Sequence, residues 1–216
     1  MRKLLLNILI IFNLLTFLSH ASAPLIEEDN SEIPLKNSIL KGLDETRFKI
    51  FGQFIISTPI FLLDERGWSG NLPELKERTL VEFREEGLLY HHNEILDSNE
   101  MGLWALSSKG DLCIYFPHKH PDITAVHHTF FFKKEGIGQA IACVGHIEVR
   151  NGKITSLSND SGRYQPIDLQ LLLSVKYLHS KNVLDPQIKV KTYAEEDKQL
   201  SLDNALEIAN SIGLNS

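Results

Sequence analysis

The sequence predicts an α+β fold, with an antiparallel sheet of successive β-hairpins and flanking helices. Three observations lead there. Asn151-Gly152 lies between two strand-like runs, Ile141–Arg150 and Lys153–Ser158, and this pair is the preferred centre of a two-residue type I′ turn. A second pair of alternating runs, Leu103–Ser107 and Asp111–Pro117, flanks Lys109-Gly110. Apolar residues recur at helical spacing after Pro166 and after Ser201, which indicates amphipathic helices. Hairpins segregated from helices in chain order define α+β rather than alternating βα units.

The elements follow in order. Arg2 and Lys3 precede an apolar stretch, Leu4–Leu18, and Ala21-Ser22-Ala23 is a small-residue cleavage signal. Residues 1–23 are therefore expected to be a signal peptide cleaved after Ala23. The apolar stretch is shorter than the about 20 residues of a bilayer span, so the expected product is secreted or periplasmic, with no stable membrane span after cleavage. Residues 24–34 are acidic, lack apolar periodicity, and read as a flexible tail. Residues 35–216 read as a single α+β domain. Within it, Leu35–Phe48 suggests a short helix. Phe51–Leu63 suggests one or two buried strands broken near Pro59, and Asp64–Gly70 a loop. A charged helix is expected from Pro73 to about Glu86, with Leu75, Leu80 and Phe83 inward and Gly87 as its stop. Glu82-Phe83-Arg84-Glu85-Glu86 then reads as a solvated helix face. His118–Ala125 reads as a loop and Val126–Phe132 as a strand.

The Asn151-Gly152 turn sets a register of Val149 opposite Ile154 and Glu148 opposite Thr155, with Ile147, Val149 and Ile154 on the core face. Asn159–Gly162 is a cluster of turn formers. Pro166 suits the first turn of a helix, whose stripe is Ile167, Leu171, Val175 and Leu178 and whose stop is Asn182. Gln187–Tyr193 alternates as a half-buried strand. Ser201–Ile212 is a helix with Leu202, Ala205, Leu206, Ala209 and Ile212 inward, stopped by Gly213.

The formal net charge is −6, and no basic block or aromatic-basic stripe accompanies it. Nucleic acid is therefore excluded as an expected partner, and anionic membrane surfaces are disfavoured. Cys113 and Cys143 are the only cysteines. An even count in an exported chain permits a disulfide; two buried thiols serving as small apolar fillers are the alternative.

Few residue sets carry chemistry. Ser161, Gly162, Arg163 and Tyr164 precede the helix expected at Pro166, where free N–H groups favour anions and Arg163 adds a guanidinium fork. A purely structural corner explains the same residues through turn chemistry. His118, His120 and Asp122 have the spacing of a weak metal set, which His127, His128 or His146 could complete; an ordinary solvated loop is the plainer explanation. His127 and His128, adjacent in a strand, would point to opposite faces, leaving one toward a cleft with Thr129 or Arg163. Cys143 and His146 lie three apart on a strand and so do not form a dyad without a bulge. Trp68 and Trp104 read as core or rim. The sequence identifies no cofactor.

Four segments together carry a family resemblance: HHTF at His127–Phe130, IACVGHIEV from Ile141, NGKI at Asn151–Ile154 and SGRYQP at Ser161–Pro166. They resemble a domain of bacterial effector-like and toxin-associated proteins, shared with plant calmodulin-binding proteins that carry an IQ motif. Its motifs are HSSF, A-G-E or A-G-R, G-x-[IL] and S-G-H-Y-x-P. The resemblance spans about 103–193, with Gly145, Gly152, Ile154, Ser161, Gly162, Tyr164 and Pro166 matching directly. Val144, His146 and Arg163 depart from the motifs, and residues 133–136 lie in a longer spacer. No IQ motif is present, so calmodulin is not carried over as a partner. If the family histidine in S-G-H-Y were catalytic, Arg163 would alter that chemistry, because a guanidinium stays protonated.

The signal peptide, the resemblance and the SGRY turn together lead to the expectation of an exported bacterial protein of this effector-like group. It would bind an anionic small molecule or a partner protein through His127, His128, Thr129, Ser161, Gly162, Arg163 and Tyr164. A group-transfer or hydrolytic enzyme using the same motifs, with ADP-ribosyl transfer as one chemistry, is the rival reading. A structural envelope protein is the third.

Overall fold

The computed structural model describes residues 33–34, 44, 46–60, 75–123, 126–134, 137–193 and 198–212. The expected signal peptide, most of the acidic tail, the Asp64–Gly70 loop, Trp68 and most of the expected Leu35–Phe48 helix lie outside the described residues. Among those described, the strands are β1 (Ile33–Pro34), β2 (Phe48–Phe51), β3 (Phe54–Ser57), β4 (Glu82–Phe83), β5 (Leu89–His91), β6 (Glu94–Ile95), β7 (Gly102–Ser107) and β8 (Leu112–Tyr115). After them come β9 (Lys133–Lys134), β10 (Ile137–Gly138), β11 (Ile141–Arg150), β12 (Lys153–Ser158), β13 (Leu184–Thr192) and β14 (Lys198–Leu200). The helices are α1 (Leu75–Thr79), α2 (Asp168–Ser180) and α3 (Leu202–Ser211). The fold is α+β with a large, mostly antiparallel sheet.

β11 organises that sheet. Ile141 pairs with both Ser57 and Ser107, and Ile147 with both Gly102 and Leu157. β7 therefore runs along one edge of β11, while β3 and β12 share the other. β8 extends β7; β2 and β1 extend β3; β13 and β14 extend β12. β12 and β13 are parallel, with α2 between them in the chain, because a parallel pair needs a long crossover.

Strand alternation gives the sheet two buried faces. Trp104, Leu106, Leu112 and Ile114 face a large core closed by Leu171, Val175 and Leu178 of α2 and by Ala205 and Ala209 of α3. Ala105, Cys113 and Tyr115 face a smaller cluster with Leu75, Ile123, Phe131 and Tyr164. An irregularity in the β7 pairing between Ile141 and Cys143 changes the phase of β11. Ala142 and Cys143 join the large core, and Ile141 and Val144 the small one.

Several expectations meet their outcome here. Asn151 and Gly152 have φ of 48° and 77°, as a type I′ turn requires, and Val149 pairs with Ile154. Glu148, however, pairs with Ser156, because a bulge leaves Thr155 as the extra residue. The expected Pro73–Glu86 helix ends at Thr79. Leu80 bridges to Cys113 and Val81 N–H donates to Leu112 O at 3.0 Å, so the edge of β8 captures the chain. Leu80 is exposed rather than inward, and Glu82-Phe83 becomes β4 of a small β4-β5-β6 sheet. Val126–Phe132 is not a strand: His128–Phe130 forms a 3-10 turn. Helix α2 starts at Asp168 with Ile167 as its cap, which leaves Pro166 just outside. Asn182, at φ 56°, follows its C-terminus. Ala205 and Ala209 of α3 and Ile212 just after it are buried as expected.

Cys113 and Cys143 are free. They sit on non-adjacent strands separated by β7 and face opposite sides of the sheet, a geometry that cannot be bridged. Trp104 is a fully buried core residue, with Nε1 donating to Ser158 O at 2.9 Å. Among the described residues no helix is long and apolar enough to cross a membrane.

Candidate functional site

The sequence motifs HHTF and SGRY, whose His128 and Ser161 are 33 residues apart, meet on the small-core face of the sheet. Their meeting point begins with Gly145 of β11. A Cβ there would lie 1.9 Å from Ser158 O, so only glycine lets β11 and β12 approach this closely. The Gly145 carbonyl lies 3.0 Å from His128 Nε2. A carbonyl only accepts, so the ring carries its proton on Nε2. Nδ1 is then the acceptor, and Ser161 Oγ–H donates to it at 3.0 Å. The Tyr164 backbone N–H donates in turn to Ser161 Oγ at 3.4 Å.

His128, Ser161 and Tyr164 are all buried. Burial pushes the His128 imidazole down to about 4, with His146 and His127 reinforcing the shift and the Gly145 bond opposing it; the ring is neutral at physiological pH. Tyr164 is enclosed completely, and its hydroxyl donates to Gln139 O at 2.8 Å. Burial also raises its ionisation well above the usual phenol range.

The turn is anchored on all sides. Gln165 N–H donates to Ser161 O at 2.8 Å, and Ile60 N–H to Arg163 O at 2.9 Å. The Arg47 guanidinium donates to the Tyr164 carbonyl and to Gln165 O at 2.8 Å. Asn159 bonds Pro166 O at 3.1 Å and Asp168 Oδ1 at 2.9 Å, and accepts from Tyr193 N–H at 2.9 Å. Arg47 and Gln139 act here through long-range contacts that no local motif signals.

The remaining expected site residues form a rim. Gly162 is exposed, while His127, Thr129 and Arg163 are half-buried. The His127 ring meets Phe130 edge-on at 5.5 Å. Thr129 packs at Gly138, where an added Cβ would lie 3.1 Å from both Thr129 Cβ and the Tyr164 hydroxyl. His146 stands 6.3 Å from the His128 ring and 3.6 Å from Asp160 Oδ2. The α2 N-terminus is capped from within, since Ile167 N–H donates to Gln170 Oε1 at 3.2 Å and Asp168 occupies the first turn.

His118, His120 and Asp122 do not converge. His118 Nδ1 lies 2.5 Å from Glu100, His120 stacks on Tyr115, and Asp122 is forked by Arg78 at 2.8 and 2.9 Å. Among the described residues no group of three or more His, Cys, Asp or Glu side chains is placed to hold a metal ion.

The arrangement defines an α+β protein with a buried neutral histidine bonded to a serine beneath a polar rim. No family model, no curated protein and no solved structure matches the chain.

Proposed function

We propose that the protein is an exported bacterial protein of the effector-like group. In this reading the rim of His127, Thr129, Gly162 and Arg163 takes an anionic small molecule or an acidic segment of a partner protein. The supporting observation is the convergence of HHTF and SGRY, which puts His128, Ser161 and Tyr164 into a locked support beneath more exposed residues. A fixed support favours recognition because little ordering entropy remains to be lost on binding. Two expectations read from the sequence accompany this proposal: an antiparallel succession of hairpins with flanking helices, and export by cleavage after Ala23. Intact-mass measurement of exported material checks that cleavage.

The binding test is calorimetry with inorganic pyrophosphate and ADP-ribose. Arg163→Ala is expected to weaken binding by about 1.5–3 kcal/mol, the range for a charged hydrogen bond. Unchanged affinity removes Arg163 from the site.

A second reading is favoured by one observation, the Ser161–His128 hydrogen bond to a ring whose other nitrogen is fixed by a carbonyl. A hydroxyl bonded to an oriented imidazole is the ground state of an activated nucleophile. Under this reading Ser161 Oγ bonds to an acyl carbon as the alcohol or amine leaves, or to a glycosyl carbon as nicotinamide leaves; His128 takes the hydroxyl proton and returns it to the departing alcohol or amine, or to solvent, before water hydrolyses the Ser161 adduct. Hydrolysis of activated esters, or nicotinamide release from NAD+, that disappears in Ser161→Ala supports it. Inertness toward esters, amides and nucleotides rejects it.

A further inference from the structure

A cavity of about 430 Å³ is lined by residues of α1, the β5–β6 hairpin and the turn after β8. Five of its side chains are basic or become so on protonation: Arg78, His91, His92, Lys119 and His120. Their placement has local causes. The β5–β6 hairpin turns through His92-Asn93, at φ of 49° and 66°, with His91 opposite Glu94. Such a turn favours asparagine or glycine at its first position; histidine stands there instead, with its ring 4.1 Å from that of His91. His91 Nε2 lies 2.9 Å from the Arg78 carbonyl. The His120 ring stacks on Tyr115 at 5.3 Å and lies 6.3 Å from His91.

The surrounding charges nearly cancel while the histidines are neutral. Arg78 is paired with Asp122, Glu94 lines the cavity, Glu82 acts on His91, and Lys119 is exposed. Burial, reinforced by the neighbouring basic groups, holds His91 and His120 below the ordinary histidine range. Near neutral pH the cavity therefore has no positive excess, and acid adds charges of one sign.

We propose that this cavity is an acid-gated site for a small phosphorylated molecule, held by Lys119 and His92 and by protonated His91 and His120. Its volume lies within the about 300–1,000 Å³ of small-molecule pockets, which leaves room for an organic group against Ile95 and Leu96. A bound oxyanion favours the charged imidazoles, so binding takes up protons and tightens as pH falls. The gain is about tenfold for each histidine whose pKa the ligand raises by one unit. The site is independent of the Arg163 rim.

The test is calorimetry of the purified protein with inorganic phosphate, ribose 5-phosphate and ribose, at about pH 5.5 and about pH 8. Both phosphates are expected to bind at least about tenfold more tightly at the lower pH, with proton uptake, and ribose not at all. Tighter ribose 5-phosphate assigns an organic phosphate, and equal affinity assigns the free ion. Lys119→Ala is expected to weaken both about fivefold or more. His120→Asn is expected to flatten the pH dependence, and Arg163→Ala to change neither. Should His120→Asn fail to fold, His91→Asn carries the same test at a half-buried hairpin position. Binding that ignores pH, binding of ribose alone, or wild-type affinity in Lys119→Ala overturns the proposal.

Discussion

His128 is a titratable group that folding keeps from titrating. Its value falls to about 4 from an ordinary 6.5, so the unfolded chain takes up a proton that the folded chain refuses. The stability tied to this group is complete above pH 6.5, falls as pH drops toward 4, and levels off below that. The loss amounts to roughly 3 kcal/mol. Urea unfolding of the wild type and His128→Gln at several pH values checks this: the variant is expected to lose less stability across the acid window. The same residue shows the limit of local reading. HHTF is legible as a motif, but the partners of its second histidine, Gly145 O and Ser161 Oγ, come from two distant segments. A strand there would have divided His127 and His128 between two faces; the 3-10 turn instead aims His128 inward.

Helix α2 is tied to the sheet by more than its apolar stripe. Gln170 is buried and its amide donates to Ile55 O at 3.0 Å, Ser57 Oγ at 3.2 Å and Ala142 O at 2.9 Å. One side chain thus clamps α2 to both β3 and β11 at the point where those strands pair. Gln170→Met keeps the volume but leaves those acceptors without this donor, and is expected to cost about 3 kcal/mol. A lower urea midpoint with an unchanged slope is the measurement. The stripe itself was legible because Leu171, Val175 and Leu178 repeat at helical spacing. Residues 73–86 also carry helical spacing, but the edge of β8 offers the chain a better use of Leu80 and Val81. The His92-Asn93 hairpin carried a weak local signal, since histidine is an uncommon residue at positive φ.

At the scale of the whole molecule, one sheet buried on both faces makes disulfide stapling unnecessary. Burial raises the Cys113 thiol to about 12 and the Cys143 thiol higher still, so neither is a ready thiolate. Native protein is expected to resist iodoacetamide, denatured protein to react at both thiols, and reductant to leave the unfolding midpoint unchanged. A midpoint lowered by reductant would reveal a bridge. The sequence by itself determined the Asn151-Gly152 turn, the α2 and α3 stripes, the alternation of β7, β8 and β13, and the acidic net charge. These are local properties, written in periodicity and turn chemistry. Only the tertiary structure decided that β11 takes partners from three strands, that the cysteines face apart, and that His128 meets Ser161. It also decided that His91, His92 and His120 share a cavity. Those outcomes depend on strand order and on close backbone approach at Gly145, which arise from packing between segments far apart in the chain and leave no periodic trace along it.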